Sequence, residues 1–268
     1  SDVQTKQYDD GGVYEGTFLN GLQHGTGTYR LPNGYEYTGD WVEGEIRGNG
    51  VARFPNGSVY EGSFAKGKPD GTGRITFADG GTYEGEWRDG AISGQGIALC
   101  ANGVRYEGGF LDAQHHGKGT MQSPGGYEYQ GDWVDGIKQG VGKITYPDGA
   151  VYEGQIAQGK REGEGTLTMP DGLVYVGLWR DGQIDGTGKL SQANGDVYEG
   201  QLVSGRIYLP KVGVALHHHR LFRRGYSGVP GKDDGLLYID LRVCMRAVPR
   251  IPVLIVGGLC FSFHRGTI

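Results

Sequence analysis

The chain has 268 residues, of which 54 are Gly, 17 Tyr, 8 Phe and 4 Trp. Gly at about a fifth of the chain, against a usual level of about 7%, excludes an ordinary globule and, without a collagen period, a triple helix; so many aromatics exclude a disordered chain. The net charge of −5 is uneven: residues 206–268 hold 10 Lys/Arg and 3 Asp/Glu, leaving 16 and 28 in residues 1–205, a balance of −12, and an acidic body lacks the basic stripe that nucleic-acid binding needs.

Residues 1–13 read as a lead-in. From Tyr14 a Tyr returns every 23 residues, at Tyr37, Tyr60, Tyr83, Tyr106, Tyr129, Tyr152, Tyr175 and Tyr198. In the eight complete units Gly follows each Tyr by 2, 11, 13 and 20 residues, as Gly16, Gly25, Gly27 and Gly34 do in the first. Each unit predicts two strands and two turns. The opening segment, such as Tyr83-Glu84-Gly85-Glu86-Trp87, alternates, which places Tyr, Gly and the second aromatic on one face. A tight turn follows, as at Asn20-Gly21, Glu43-Gly44, Asp89-Gly90 and Asp181-Gly182. The second strand runs from Gly-x-Gly through stretches such as Lys143-Ile144-Thr145-Tyr146 to Pro-Asn/Asp-Gly, as in Pro32-Asn33-Gly34 and Pro147-Asp148-Gly149. Pro presets φ, Asn and Asp tolerate left-handed geometry and Gly accepts positive φ, so this is a turn with a mechanism.

A hairpin of 23 residues cannot bury a core alone, so neighbours must supply it. The predicted fold is all-β, an elongated single-layer twisted antiparallel sheet of stacked 23-residue β-hairpin repeats. The array covers 14–205, eight complete units and a partial ninth, and eight units would span roughly 80 Å at two strands each. The positions expected to carry it are Tyr14, Gly16, Trp41, Gly62, Tyr83, Gly85, Trp87, Tyr106, Gly108, Trp133, Tyr152 and Trp179. Gly inside a strand marks close approach of another group, expected here to be aromatic rings from the neighbouring hairpin.

A longer period overlies the first. The residue four after Tyr alternates through Phe18, Trp41, Phe64, Trp87, Phe110, Trp133, Ile156 and Trp179. Units one and five agree at 13 of 23 positions, more than units one and two do. A block of four units, 92 residues, has been duplicated.

These residues resemble the MORN (membrane occupation and recognition nexus) repeat, whose pattern is Tyr-Glu-Gly-x-Trp-x-x-Gly-x-x-x-Gly-x-Gly. Tyr83 to Gly96 matches throughout; the chain departs at Ala113 (Gly expected), Ile156 (aromatic expected) and Val176 (Glu expected). The resemblance covers about 14–205. It implies a curved single-layer sheet of stacked hairpins, used within the family for protein interaction, membrane association and assembly, in some members beside a catalytic domain that is not recognisable here.

Chemistry is scarce. The Glu after Tyr (Glu15, Glu61, Glu84, Glu107, Glu153, Glu199) recurs with the period, whereas active sites are singular, so these carboxylates read as cross-strand partners or solvated groups. Gly-x-Gly lacks the third Gly and following helix of a dinucleotide loop. His24, His115 and His116 read as solvated turn residues, and His217-His218-His219 cannot all face one ion from a strand. Cys100, Cys244 and Cys260 form no CxxC pair, so neither a zinc site nor a disulfide framework is indicated. No catalytic, cofactor or metal residue is expected.

The pattern stops after Gly205. Residues 206–268 are basic and end in an apolar run, Ile251 to Phe263, shorter than the roughly 20 residues that span a bilayer. This tail reads as a cap on the sheet edge, as a membrane-surface anchor, or as an out-of-frame end. The expected function is a non-enzymatic scaffold for a protein partner or an extended polymer, with self-association open. The alternatives are a module binding membrane phospholipid, and an accessory region of a larger enzyme. No cofactor and no nucleic acid are expected. A cytoplasmic or membrane-associated place fits, and a first residue of Ser1 leaves export open.

If the strand glycines serve packing, Gly108→Val lowers the melting temperature sharply in thermal denaturation; an unchanged value overturns the packing role.

Overall fold

The structure, a computed structural model, describes residues 2–209 and 237–240. Every regular element among the described residues is a β-strand. They fall into two compact units, which meet in the chain between Met121 and Gln122.

The first unit contains β1 (Gln4–Gln7), β2 (Val13–Leu19), β3 (Leu22–Arg30), β4 (Glu36–Val42), β5 (Glu45–Arg53), β6 (Val59–Ala65), β7 (Lys68–Thr76), β8 (Thr82–Arg88), β9 (Ala91–Leu99), β10 (Arg105–Leu111) and β11 (Gln114–Gln122, its last residue belonging to the second unit). From β1 to β10 each strand pairs antiparallel with the next. The lead-in is therefore part of the sheet. Its turn, with Tyr8 N–H donating to Gly12 O, has the pattern that closes every later unit, as Leu31 N–H to Tyr35 O does in the first.

The second unit contains β12 (Glu128–Val134), β13 (Ile137–Thr145), β14 (Val151–Ala157), β15 (Lys160–Thr168), β16 (Val174–Arg180), β17 (Gln183–Ser191), β18 (Val197–Val203), β19 (Arg206–Leu209) and β20 (Leu237–Asp240), again paired in order. β19 carries the ninth hairpin past Gly205. The rest of the basic and apolar tail lies outside the described residues, with His217, His218, His219, Cys244 and Cys260 in it.

Each repeat joins a seven-residue strand to a nine-residue strand by two residues of positive φ, such as Asn20 (50°) and Gly21 (81°). That is the type I′ geometry, whose twist matches paired strands. At Asp112-Ala113 the second place is held by a residue with a Cβ, at φ 61°. The strands differ in length because the longer one bulges. Gly16 faces Gly27 and Phe18 faces Gln23, so Thr17 alone opposes His24, Gly25 and Thr26. Gly25 takes the excess at φ 79°, and Gly140 does so in the second unit at 91°. The two glycines of Gly-x-Gly thus have different tasks, one bending the bulge and the other lying flat beside a ring.

The flat glycines face one another across the strands. An unbroken row runs through Gly16, Gly27, Gly39, Gly50, Gly62, Gly73, Gly85, Gly96 and Gly108. A Cβ on Gly85 would stand 2.5 Å from the Cα of Gly96 and 2.6 Å from the hydroxyl of Tyr83. The covering ring is the repeat's own Tyr, not one from the neighbouring hairpin. It lies down along its own strand because its hydroxyl donates to the carbonyl three residues on, opposite the bulge: Tyr14 to Thr17 at 3.0 Å, Tyr60 to Ser63 at 2.8 Å, Tyr129 to Asp132 at 2.8 Å.

The neighbour contributes differently. In the first unit the rings from Tyr14 through Trp41, Tyr37, Phe64, Tyr60, Trp87, Tyr83 and Phe110 to Tyr106 form an edge-to-face series, with centroids 5.0–5.6 Å apart and planes 76–88° to each other. Such contacts are worth about 0.5–1.5 kcal/mol each beyond burial. Trp41 and Trp87 also donate Nε1–H to Gly27 O and Gly73 O of the preceding repeat, at 3.2 and 3.1 Å, which Phe cannot do. In the second unit Ile156 takes an aromatic place and is buried; Trp179 bridges Tyr152 and Tyr175 and donates to Gly165 O at 3.2 Å.

Two predictions follow from this packing. Ala113→Gly removes a left-handed L-residue, which costs about 1–2 kcal/mol, and raises the melting temperature by roughly a few degrees; an unchanged or lower value means the turn is unstrained. The second concerns alkaline pH. Burial pushes Tyr152 and Tyr175 up to about 12 from an ordinary 10.0, and raises Tyr37, Tyr60, Tyr83 and Tyr129 as well. A raised phenol contributes stability that is complete below pH 10 and lost as pH climbs through the folded value. Unfolding by circular dichroism is therefore expected to coincide with tyrosinate absorbance above pH ~10; buried tyrosines ionising near 10 with the fold intact would contradict it.

Candidate functional site

The predicted structural positions all fall in the packed side of the sheet. Tyr14, Tyr83, Tyr106, Tyr152, Trp41, Trp87, Trp133 and Trp179 are buried, and Gly16, Gly62, Gly85 and Gly108 lie in the first unit's glycine row. In the first unit the series of rings is occupied with itself, so the open chemistry is on the reverse face.

That reverse face carries residues one and three places after Tyr. Over the glycine row of the first unit it forms a shallow trough of about 740 Å³ running from Asn49 on β5 to Gly108 on β10. One wall is Glu61, Arg74, Glu84, Ile97 and Glu107; the other is Asn49, Ser63, Thr72 and Gln95. The recurring Glu residues are exposed and most hold cations: Glu15 with Arg30 at 3.7 Å, Glu84 with Arg74 at 3.9 Å, Glu107 with Arg105 at 2.6 Å and, in the second unit, Glu153 with Lys143 at 3.2 Å. Exposed pairs of this kind contribute little stability. Their use is to balance charge along the face.

Two cations of the second unit behave differently. Lys138 lies on the packed side, its Nζ donating to Tyr127 Oη at 2.7 Å and standing 4.6, 5.1 and 5.8 Å from the rings of Tyr127, Tyr129 and Trp133. Burial holds its ammonium down to about 8. Arg161 lies 4.2 Å over Trp179 and 5.9 Å from the rings of both Tyr146 and Tyr152, and donates to Gly182 O at 2.6 Å. Neither makes a salt bridge among the described residues. Sequence reading missed both. The signal was there: nine residues after Tyr, the position they share is apolar at Ile46, Pro69, Ile92 and Ile184.

The remaining candidates do not converge. His115 stacks on Tyr106 at 3.7 Å, so it is a packed residue and not a solvated one; His24 Nδ1 accepts from Glu43 N–H at 3.4 Å. No three His, Cys, Asp or Glu side chains are grouped to hold a metal among the described residues. Cys100 is the one described cysteine. No helix of the described residues is long and apolar enough to cross a membrane.

Alsin of Rattus norvegicus is 45% identical over 58 residues, and Alsin of Homo sapiens 41% over 58; the match spans 20% of this chain and only 4% of Alsin. Among solved structures, the microcephaly protein CPAP G-box domain has a TM-score of 0.42 at 12% identity, covering 75% of this chain and 100% of that domain. The Danio rerio CPAP TCP10 domain mutant has 0.41 at 14%, covering 74% and 99%. Likeness at that level carries no functional argument. The MORN repeat model matches eight times, at residues 14–34, 37–59, 60–82, 83–105, 106–126, 129–151, 152–174 and 175–197, and the chain belongs to the MORN repeat family as a repeat-based interaction module.

Proposed function

We propose that this chain is a non-enzymatic scaffold whose reverse face holds an extended segment of a protein partner. The observation that carries the proposal is the first unit's trough. It crosses six strands, β5 to β10, about 24 Å at the spacing of paired strands, enough for about seven residues of extended chain. Its walls offer hydroxyls, amides and paired charges in a row, which suits a segment read along its length. An active site would instead bring a nucleophile, a base and a charge stabiliser to one point, and here each group recurs with the repeat. Phospholipid is less well served, because Arg74 and Arg105 already hold carboxylates and anionic headgroups call for unpaired basic surface. The same surface would serve equally inside a longer protein.

Gln95→Trp places an indole in the middle of the trough on the side away from the packed rings. Affinity capture with each protein, mass spectrometry and a binding titration are expected to show a partner held at least tenfold more weakly by the variant, about 1.4 kcal/mol, with the melting temperature preserved. Undiminished binding by Gln95→Trp overturns the proposal.

A further inference from the structure

The duplication allows the two halves of the chain to be compared position by position. Displaced by 92 residues, Tyr35, Phe54, Ile46 and Pro69 of the first block correspond to Tyr127, Tyr146, Lys138 and Arg161 of the second. In the first block the position nine residues after Tyr is Gln23, Ile46, Pro69 and Ile92, uncharged throughout and apolar in the last three; Ile92 is 1% exposed. In the second block the same position carries a cation in two successive repeats. Placing charge against rings loses hydration that apolar residues never had to give up, and two like charges one repeat apart repel. A change with that cost, made twice in succession, calls for a counterpart.

No counterpart is present among the described residues of the unit. The carboxylates whose fields reach the tyrosines around these cations are Asp132 at Tyr129, Asp148 at Tyr146 and Glu162 at Tyr152, and none pairs with Lys138 or Arg161 among the described residues. The cations are joined instead through an edge-to-face pair of rings: Lys138 over Tyr127, Tyr127 beside Tyr146 at 6.1 Å, and Tyr146 beside Arg161. Both residues are partly buried and keep some contact with solvent, so a ligand reaching the packed side meets them at its surface. We infer that Lys138 and Arg161, with Tyr127 and Tyr146, form a binding site on the packed side of the second unit for an acidic peptide segment of a protein partner.

Geometry selects that ligand. Each cation rests on its own rings, with backbones two strand spacings or about 10 Å apart, so a single compact anion has no common focus. A chain bearing several carboxylates meets both, and Arg161 adds a planar fork suited to carboxylate. The balance of −12 over residues 1–205 opposes approach to an anionic bilayer but is no obstacle to a local contact with a peptide. The inference rests on the protein-binding function proposed above, at a site in the other unit from the trough.

The test uses the full chain and octaglutamate, titrated calorimetrically at physiological ionic strength. Octaglutamate is expected to bind, to bind at least tenfold more weakly to Lys138→Ile/Arg161→Ile, and to be retained by Lys138→Arg. Ile is the residue that other repeats use here, so the double variant is expected to melt no lower than the parent. Absent or undiminished binding in the double variant comparison overturns the site: no binding to the parent, or equal affinity for both proteins. Inorganic phosphate bound as tightly as octaglutamate overturns the peptide as occupant, as does binding to phosphatidylserine vesicles that the same substitutions abolish. Gln95→Trp is expected to keep octaglutamate binding, so failure of the trough and failure of this site are read separately.

Discussion

A phenol buried without a partner for its hydroxyl loses more than its ring gains, and a carbonyl left over at a bulge has the same difficulty. In each repeat these two problems answer one another: the Tyr hydroxyl donates to the carbonyl three residues on. To reach it the ring must lie flat along its own strand, and the backbone beneath it must have no Cβ. The paired glycines, the bulge glycine and the Tyr are therefore one device. Removing any of them strands the others.

From that device the higher order follows. A ring lying flat offers its edge and face to the next repeat, where Trp or Phe closes on it. Trp adds a hydrogen bond to the glycine carbonyl of the preceding repeat, so linkage between repeats alternates in strength with the alternation of Trp and Phe. Stability in such arrays is shared between neighbours. The packed side is committed to this work, and the reverse side is left free to vary. There the first unit keeps its trough, walled by side chains that take no part in the packing.

The second unit shows the same scaffold being put to another use. Its turns, bulges and glycine row repeat those of the first, yet the position opposite the second aromatic has passed from Ile and Pro to Lys and Arg. The rings that would have covered an apolar side chain now stabilise a cation through their faces. A repeat fold tolerates such an exchange because the loss is confined to one hairpin and its neighbours.

Period, the two strands and two turns of each repeat, and the sided placement of Tyr and Gly were all legible in the chain, because each is dictated locally: by alternation, by positive φ and by the absence of a Cβ. The turn at Asp112-Ala113 was visible as a departure for the same reason. Which ring covers which glycine was not legible, since both a Tyr from the same hairpin and one from the next satisfy the alternation; the hydroxyl's bond to the bulge carbonyl decides it. Nor were Lys138 and Arg161. In the sequence they are two more basic residues among 26, and only the three-dimensional register, which sets them opposite Trp133 and Ile156, turns them from solvated charges into cations held on aromatic faces.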